Sequence, residues 1–263
     1  MNSVQLPESS QAQKKVLASR ILDLIITTTA LALFFPIMLV VALAIWMDSG
    51  WPVFFSQIRL GRGGRHFRIY KFRKFHKDCG DDGCALTVKN DVRMTRAGRL
   101  LRKTKFDELP QLWNILKGDM AIIGPRPESL EFADCFTGTY LRVLDYKPGI
   151  FGPNQVLFVE EDALYPQSSD PEVFYRDVLF PLKARIDLAY FPYRTFFSDI
   201  GWILRGVLAA FGWRMSLPPK TPTGREIENW IESTIERTHG GVNTMRERPH
   251  SEAVRSIFRG TDS

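Results

Sequence analysis

Thr104-Lys105-Phe106-Asp107-Glu108-Leu109-Pro110-Gln111-Leu112-Trp113-Asn114 is the stretch around which this chain is organised. It sets two adjacent carboxylates at the start of a helix, just after arginines at positions 93, 96, 99 and 102. Leu109, Leu112, Trp113 and Leu116 recur at helical spacing, and Gly118 closes that helix. Pro110 costs little near a helix N-terminus, where its missing N–H would have no partner anyway. Ala121-Ile122-Ile123 then reads as a short extended piece before the turn Gly124-Pro125-Arg126-Pro127. Thr104 and Asp107 have the spacing of a capping box, so the bland role of Asp107 is to cap the helix. The chemical role rests on charge: a helix N-terminus and nearby arginines keep a carboxylate ionised. Such a group attacks phosphorus or binds a hard cation such as Mg²⁺. Neighbouring helical side chains point about 100° apart, so the pair can divide these tasks. Spacing alone leaves both readings open.

Upstream, Pro52–Arg59 is rich in β-formers, and Gly61-Arg62-Gly63-Gly64 is turn material. His66–Phe75 alternates loosely, so a short β-hairpin is expected. Eight Lys or Arg residues lie between Arg59 and Lys77 with no Asp or Glu. Such a run is either a solvated face or a surface for polyanions. The whole chain carries +6 with a pI near 9.3, which also favours anionic partners. Three cysteines (Cys79, Cys84, Cys135) form neither a disulfide framework nor a zinc site, which points to a reduced cytosolic environment.

Further upstream, Ile21–Trp46 is nearly all apolar. Its twenty-six residues would span roughly 39 Å as a straight helix, enough to cross a bilayer. Pro36 removes a backbone donor and is expected to break the helix into halves of roughly 22 and 15 Å, each too short to span. Lys14, Lys15 and Arg20 precede the segment, while Arg59, Arg62 and Arg65 follow it. Positive flanks on both sides favour a helix–break–helix that enters and returns on the cytoplasmic side. A plain spanning anchor and a cleaved signal peptide are the alternatives. Asp23 near the entry is expected at headgroup depth, paired with Arg20.

Downstream of the acidic pair, Phe174–Tyr190 reads as a helix interrupted near Pro181. Trp202, Ile203, Leu204, Val207, Leu208, Phe211 and Trp213 suit an amphipathic helix, lying either in the membrane interface or on the core. Residues 78–90 look like an exposed loop. The tail beyond Met215 is polar, with one amphipathic helix expected around Ile227–Ile235. The expected organisation is a flexible terminus (1–19), a re-entrant membrane helix (20–47), a catalytic domain (48–214) and a partly disordered tail (215–263).

The wider pattern is more specific than the acidic pair. Phe55-x-Gln57-x-Arg59-x-Gly61-x-x-Gly64-x-x-Phe67-x-x-Tyr70-Lys71-Phe72-Arg73, then Asp107-Glu108-Leu109-Pro110-Gln111-Leu112, then Gly118-Asp119-Met120 running into Gly124-Pro125-Arg126-Pro127, resembles bacterial sugar transferases. The resemblance is to the small, single-domain members among the monotopic polyprenol-phosphate phosphoglycosyl transferases. It covers roughly residues 18–212.

The resemblance implies that a UDP-sugar gives its sugar-1-phosphate to polyprenyl (undecaprenyl) phosphate and releases UMP. Exopolysaccharide, O-antigen or capsule-type glycans start this way, at the cytoplasmic face of a bacterial inner membrane. By position, Asp107 would be the nucleophile that forms a phosphosugar intermediate, and Glu108 the Mg²⁺ ligand. Lys71, Arg102 and Arg126 would line the phosphate site. Pro36 would turn the re-entrant helix, and Asp187, Tyr190 and Asp199 would support the site.

The expected fold is α+β and mainly helical, membrane-associated, with a short β-hairpin and interfacial helices. UDP-sugar, polyprenyl phosphate and membrane lipids are the expected partners; nucleic acid is not. A metal-dependent lipid diphosphate hydrolase and a non-enzymatic membrane scaffold are the rivals.

Three departures stand out. Lys74-Phe75 occupies the place of a usual Thr-Met, and Lys105 that of a usual serine cap, leaving Thr104 as the expected substitute. After Pro148-Gly149-Ile150-Phe151-Gly152-Pro153, the expected phosphate-binding arginine is missing from Gln155–Glu161. Arg176 is the candidate to replace it.

Overall fold

The computed structural model describes residues 8–77, 91–159, 161, 165, 170–210 and 213. The expected loop at 78–90 and the tail from 215 onward lie outside the described residues. Among the described residues, four short strands and seven α-helices follow in the order α1 (Glu8–Ser49), β1 (Phe54–Leu60), β2 (His66–Phe72), α2 (Arg96–Thr104), α3 (Gln111–Lys117), β3 (Ala121–Ile123), β4 (Gly149–Phe151), α4 (Pro153–Leu157), α5 (Pro171–Phe174), α6 (Phe180–Tyr190) and α7 (Phe196–Ala210). Single 3-10 turns join several of them. The expected class, mainly helical with a small β component, holds.

α1 begins at Glu8, well before the expected start at residue 20, because Gln11-Ala12-Gln13-Lys14-Lys15 are good helix formers despite their polarity. Pro36 lies inside this helix and does not end it, so the expected helix–break–helix does not appear as two helices. A proline forfeits one N–H and strains one turn, while the residues on either side keep helical bonding. Ser19–Ser49 is long and apolar enough, by length and composition, to cross a membrane.

Two side chains fasten the start of this segment to the domain. Arg20 donates from Nη1 and Nη2 to the carbonyls of Ile115 (2.5 Å) and Leu116 (2.8 Å), at the C-terminal end of α3. The Ile115 carbonyl also accepts from the Gly118 N–H (3.0 Å), and a cation suits the negative end of the helix dipole. Asp23 Oδ1 accepts from the backbone N–H of Ile122, 3.2 Å away. The expected Arg20–Asp23 partnership persists as an electrostatic attraction, while the hydrogen bonds of both side chains dock α1 onto α3 and β3.

At the other end, Arg73 closes α1. Its guanidinium donates to the carbonyls of Ser49 (3.1 Å), Gly50 (2.7 Å) and Pro52 (2.7 Å) and to Ser49 Oγ (2.9 Å). One member of the basic run is thus a buried helix cap rather than a solvated charge.

β1 and β2 form the expected antiparallel hairpin, with Phe54 opposite Phe72 and Leu60 opposite His66. Asn114 joins α3 to this hairpin: its Oδ1 accepts from the Tyr70 N–H (3.1 Å) and its Nδ2 donates to the Arg68 carbonyl (2.7 Å). A fully buried amide here extends the edge of β2 as a partner strand would. Removing it would strand two backbone groups, at roughly 1–3 kcal/mol each. Gly118 ends α3 in the left-handed conformation (φ 91°) that glycine adopts without steric cost.

β3 and β4 pair in parallel, Ala121 opposite Gly149 and Ile123 opposite Phe151. The core lies in three clusters. Ile45, Val53, Phe72 and Leu101 join α1, the hairpin and α2. Ile69, Ile115, Met120, Ile123 and Trp202 join the hairpin, α3, β3 and α7. Phe132, Phe136, Phe158, Tyr175, Leu179 and Ile186 form the third, around α6.

The interruption expected near Pro181 takes the form of a widened π turn over Tyr175–Leu179, between α5 and α6. Pro181 has no N–H and its ring would collide with the Asp177 carbonyl in a regular helix; the wider turn avoids both problems. In α7, Trp202 is buried, while Phe196, Phe197, Leu204 and Val207 are exposed. This helix therefore packs on the core along one face and leaves a second apolar face open.

Candidate active site

β2 delivers Lys71, and Lys74 follows two residues beyond the strand. α2 is capped by Thr95, whose side chain accepts from the Gly98 N–H, and it carries Arg102 in its last turn. Of the arginines at 93, 96, 99 and 102, Arg102 is the one that reaches the central cavity. Arg93 pairs with Asp91 (2.6 Å), and Arg99 donates to the Met94 carbonyl (3.1 Å).

The chain then reverses at Lys105, which is left-handed (φ 58°), and enters a single 3-10 turn, Phe106–Glu108, that holds the acidic pair. The expected capping box does not form. Thr104 remains the last residue of α2, and its hydroxyl donates back to the Leu100 carbonyl at 3.2 Å. Its oxygen also accepts from the Phe106 N–H at 3.5 Å, so Thr104 meets the start of that turn through Phe106 rather than through Asp107.

The two carboxylates have different surroundings. Glu108 Oε1 lies 3.1 Å from Lys71 Nζ and 3.6 Å from Arg126 Nη2, the latter on the loop after β3. Burial pushes this carboxyl up, but the combined attraction of Lys71, Arg126, Lys105 and Lys74 outweighs it and holds the group ionised, well below the usual range. Burial pushes Lys71 down to about 8, against the pull of Glu108. Asp107 is 1% exposed. Its Oδ2 sits 2.8 Å from Lys74 Nζ as an ion contact, and neither carboxylate oxygen has a hydrogen-bond partner among the described residues.

A cavity of about 480 Å³ opens beside this pair. Lys71, Lys74, Arg102, Lys105, Glu108 and Arg126 line one part of it; Asp107 lies behind them and does not reach the wall. A second part is apolar, made by Ile26, Ala30 and Phe34 of α1 with Ile203 and Val207 of α7. A third part mixes aromatic and polar groups: Phe158, Glu161, Tyr165, Tyr175 and Lys183. There Lys183 Nζ and the Tyr165 hydroxyl donate to Glu161, at 2.6 and 2.8 Å. Burial pushes the Glu161 carboxyl up, yet Lys183 and these hydrogen bonds bring it below its usual range.

The remaining expected residues fall outside the charged wall. The Tyr190 hydroxyl donates to Asp199 Oδ1 (2.7 Å), which ties α6 to α7. Asp187 is buried beside Asn154, and burial pushes its carboxyl well above the carboxylate range. Arg176 does not replace the missing arginine. It donates to Asp134 (2.6 Å), Glu172 (2.9 Å) and the Glu131 carbonyl (2.6 Å), away from the cavity wall. Instead Lys105 Nζ reaches the Val159 carbonyl (3.4 Å), on the very segment where that arginine was expected.

Sequence reasoning missed Lys74 and Lys105 as site residues, although both were visible as departures from the family pattern. Glu161, Lys183 and Asn114 carried no such signal. Among the described residues, no group of three or more His, Cys, Asp or Glu side chains gathers as a metal cluster.

Residues 14–212 match the family model for bacterial sugar transferases. The chain is 43% identical over 139 residues to a UDP-N-acetylgalactosamine-undecaprenyl-phosphate N-acetylgalactosaminephosphotransferase of Aeromonas hydrophila, covering 52% of this chain and 33% of that protein. It is 41% identical over 145 residues to a UDP-glucose:undecaprenyl-phosphate glucose-1-phosphate transferase of Caulobacter vibrioides, 53% of this chain and 54% of that protein. An exopolysaccharide production protein of Rhizobium leguminosarum is 47% identical over 108 residues, 41% of this chain and 54% of that protein. The chain thus spans from a third to about half the length of these relatives. The match extends over the hairpin, the acidic pair and the helices that enclose the cavity, and this chain belongs to the bacterial sugar transferase family.

Proposed function

We propose that this protein transfers a sugar-1-phosphate from a UDP-sugar to undecaprenyl phosphate and releases UMP, starting a lipid-linked glycan of the exopolysaccharide or capsule type. The observation that carries this reading is the composition of one cavity. Cations sufficient for a diphosphate and an ionised carboxylate line one part, and an apolar wall from α1 and α7 lines another. The substrates named for the relatives, a UDP-sugar and undecaprenyl phosphate, have the same two chemistries.

In this reading Asp107 attacks the β-phosphorus of the donor and forms a covalent aspartyl-phosphosugar. The carrier's phosphate then displaces Asp107. Splitting the exchange into two displacements lets donor and lipid react without meeting. Phosphoryl transfer depends mainly on positioning and charge neutralisation, which Lys71, Arg102 and Arg126 supply.

Glu108 fits a Mg²⁺ ligand: it is an ionised carboxylate on the charged part of the cavity wall, and Mg²⁺ sites commonly take one or two carboxylates plus phosphate oxygens and water. When bound, Mg²⁺ would neutralise diphosphate charge and ease the departure of UMP.

The protein acts at the cytoplasmic face of the bacterial inner membrane. Exposed Ile25, Leu33, Phe35, Val40 and Leu43 on α1, with Trp51, Phe54 and Phe55 next to the hairpin and Phe197 on α7, suit contact with lipid. Positive flanks at both ends of the apolar stretch favour a re-entrant path bent at Pro36.

Two measurements test the reading. Purified protein with UDP-glucose or UDP-N-acetylgalactosamine and undecaprenyl phosphate should release UMP and form a sugar diphospholipid; hydrolysis of the lipid alone would favour a phosphatase instead. Cysteines at Ser10 and Phe55 should both be labelled only from the cytoplasmic side. Periplasmic labelling of either one would restore a spanning helix, and Pro36→Ala should shift the segment towards spanning.

A further inference from the structure

Asp107 cannot reach a donor from where it lies, because Lys74 stands between it and the cavity. Lys74 is part of the cavity wall, whereas Asp107 is 1% exposed and absent from it. The ammonium touches Asp107 Oδ2 at 2.8 Å as an ion contact, and among the described residues neither oxygen receives a hydrogen bond. A buried carboxylate without hydrogen bonds is costly unless a cation stays close.

The backbone of Lys74 is anchored. Its carbonyl accepts from the Thr95 N–H at 2.9 Å, and Phe75 bridges to Met94 on the same side. Gly98 of α2 packs against that carbonyl so closely that a Cβ there would collide with it. The base of the lysine is therefore fixed by the start of α2, while its four-carbon stem leaves the ammonium free to swing.

Resting on the transferase reading above, we propose that Lys74 is the positioning residue for Asp107. It holds the carboxylate in place before the donor binds, then moves with the negative charge onto the donor's β-phosphate and uncovers Asp107.

The chemistry balances without any further reactant. An oxygen of Asp107 forms a bond to the β-phosphorus, the bond from that phosphorus to the bridging oxygen breaks, and its electron pair leaves with UMP. No proton moves and nothing is oxidised. The charge of the carboxylate disappears into the mixed anhydride, so an ammonium left at the carboxylate would be unpaired and buried. Beside the new phosphoryl oxygens it stays paired. When the carrier phosphate displaces Asp107, the ammonium has its carboxylate partner again. Lys71 and Arg126 face Glu108 instead, and Lys105 contacts a carbonyl, so none of the three duplicates this contact.

The test uses the full chain in detergent with donor alone, taking whichever of UDP-glucose, UDP-galactose and UDP-N-acetylgalactosamine the unaltered protein turns over. Single-turnover UMP release reads the rate and the amount of covalent intermediate separately. Lys74→Met should slow the burst by about a hundredfold at unchanged amplitude, the scale expected for losing one charge-stabilising donor. Lys74→Arg should recover to within about threefold, since it returns the charge at similar reach. Lys74→Gln, which keeps length and a neutral donor, should lie between them and carries the comparison if the methionine variant does not fold.

A burst at the original rate in Lys74→Met overturns the proposal. So does a loss confined to amplitude, which would mark Lys74 as a fold element, or an arginine variant as slow as the methionine one. If the unaltered protein turns donor over with carrier present but shows no burst without it, the covalent reading itself has failed and this inference falls with it. A normal burst unaffected by Lys74 sinks this inference alone.

Discussion

Two clusters of oppositely charged side chains have nearly the same distances and opposite settings. On the surface, Arg176 meets Asp134 at 2.6 Å and Glu172 at 2.9 Å, with Asp134 72% exposed. Beside the cavity, Lys74 meets Asp107 at 2.8 Å and Lys71 meets Glu108 at 3.1 Å, with Asp107 almost wholly enclosed. Water and salt screen the first group, so its geometry contributes little. The second is largely withdrawn from solvent, so each charge depends on its neighbours, and Glu108 is held ionised by the cations around it. Contact distance alone therefore does not distinguish an ion pair that could do chemistry from one that only decorates a surface; burial and access to a cavity do.

The sharpest way to break this contrast is Asp107→Asn. An amide is a poor nucleophile and cannot form the same anhydride, so turnover should fall on the order of 10⁴-fold. The hydroxylamine-labile adduct, located by mass spectrometry on the peptide containing Asp107, should vanish with it. Wild-type turnover by this variant would move the chemistry to direct attack by lipid or water.

Glu108→Gln comes next. It keeps the shape and removes the charge, so Mg²⁺-dependent turnover should drop by roughly 10²–10³-fold while the thermal midpoint stays near that of the unaltered protein. Near-normal activity with Mg²⁺ would direct the search to another carboxylate.

Lys71 supplies the pH test. Its folded-state value near 8 lies below the usual lysine value of 10.5, so the free enzyme loses this cation as pH rises through about 8. The alkaline limb of kcat/KM should fall there, because kcat/KM reports the free enzyme. Lys71→Arg should move the limb to higher pH, since a guanidinium stays charged. The same shift has a stability sign: between about 8 and 10.5 the unfolded chain binds more protons at this lysine, so its contribution to stability increases with pH. An unmoved limb in Lys71→Arg would assign the titration to a different group.

Arg176→Ala anchors the other side of the comparison and should have the smallest effect. UMP release should stay within about twofold, as expected for exposed pairs. A large loss of activity would mean that this cluster reaches the donor after all.

Several features could be read before any folding was considered. The hairpin follows from β-formers around a glycine turn, and the end of α3 follows from Gly118. The acidic pair, Lys71, Arg102 and Arg126 were legible from motif order, and the structure gathers Lys71, Arg102, Glu108 and Arg126 on one cavity wall. The basic run between Arg59 and Lys77 was visible as a block, but its division was not. Arg73 caps α1, Lys71 and Lys74 face the acidic pair, and these fates depend on which backbone groups come near.

What the sequence by itself determined is local and compositional: apolar and polar periodicity, turn residues, and the order of motifs, each of which acts over a few residues. Tertiary structure decided the rest. Asn114 serves as a strand partner because residues 68 and 70 arrive beside it. Asp107 sits behind Lys74 because α2 pins residue 74 across the entrance, while adjacent Glu108 faces the cavity. Arg176 turns to Asp134 and Lys105 to Val159, reversing the exchange that motif order suggested. The physical reason is the same throughout. A side chain's charge and hydrogen-bonding capacity are written in the sequence, but its partners and its solvent are set by segments tens of residues away.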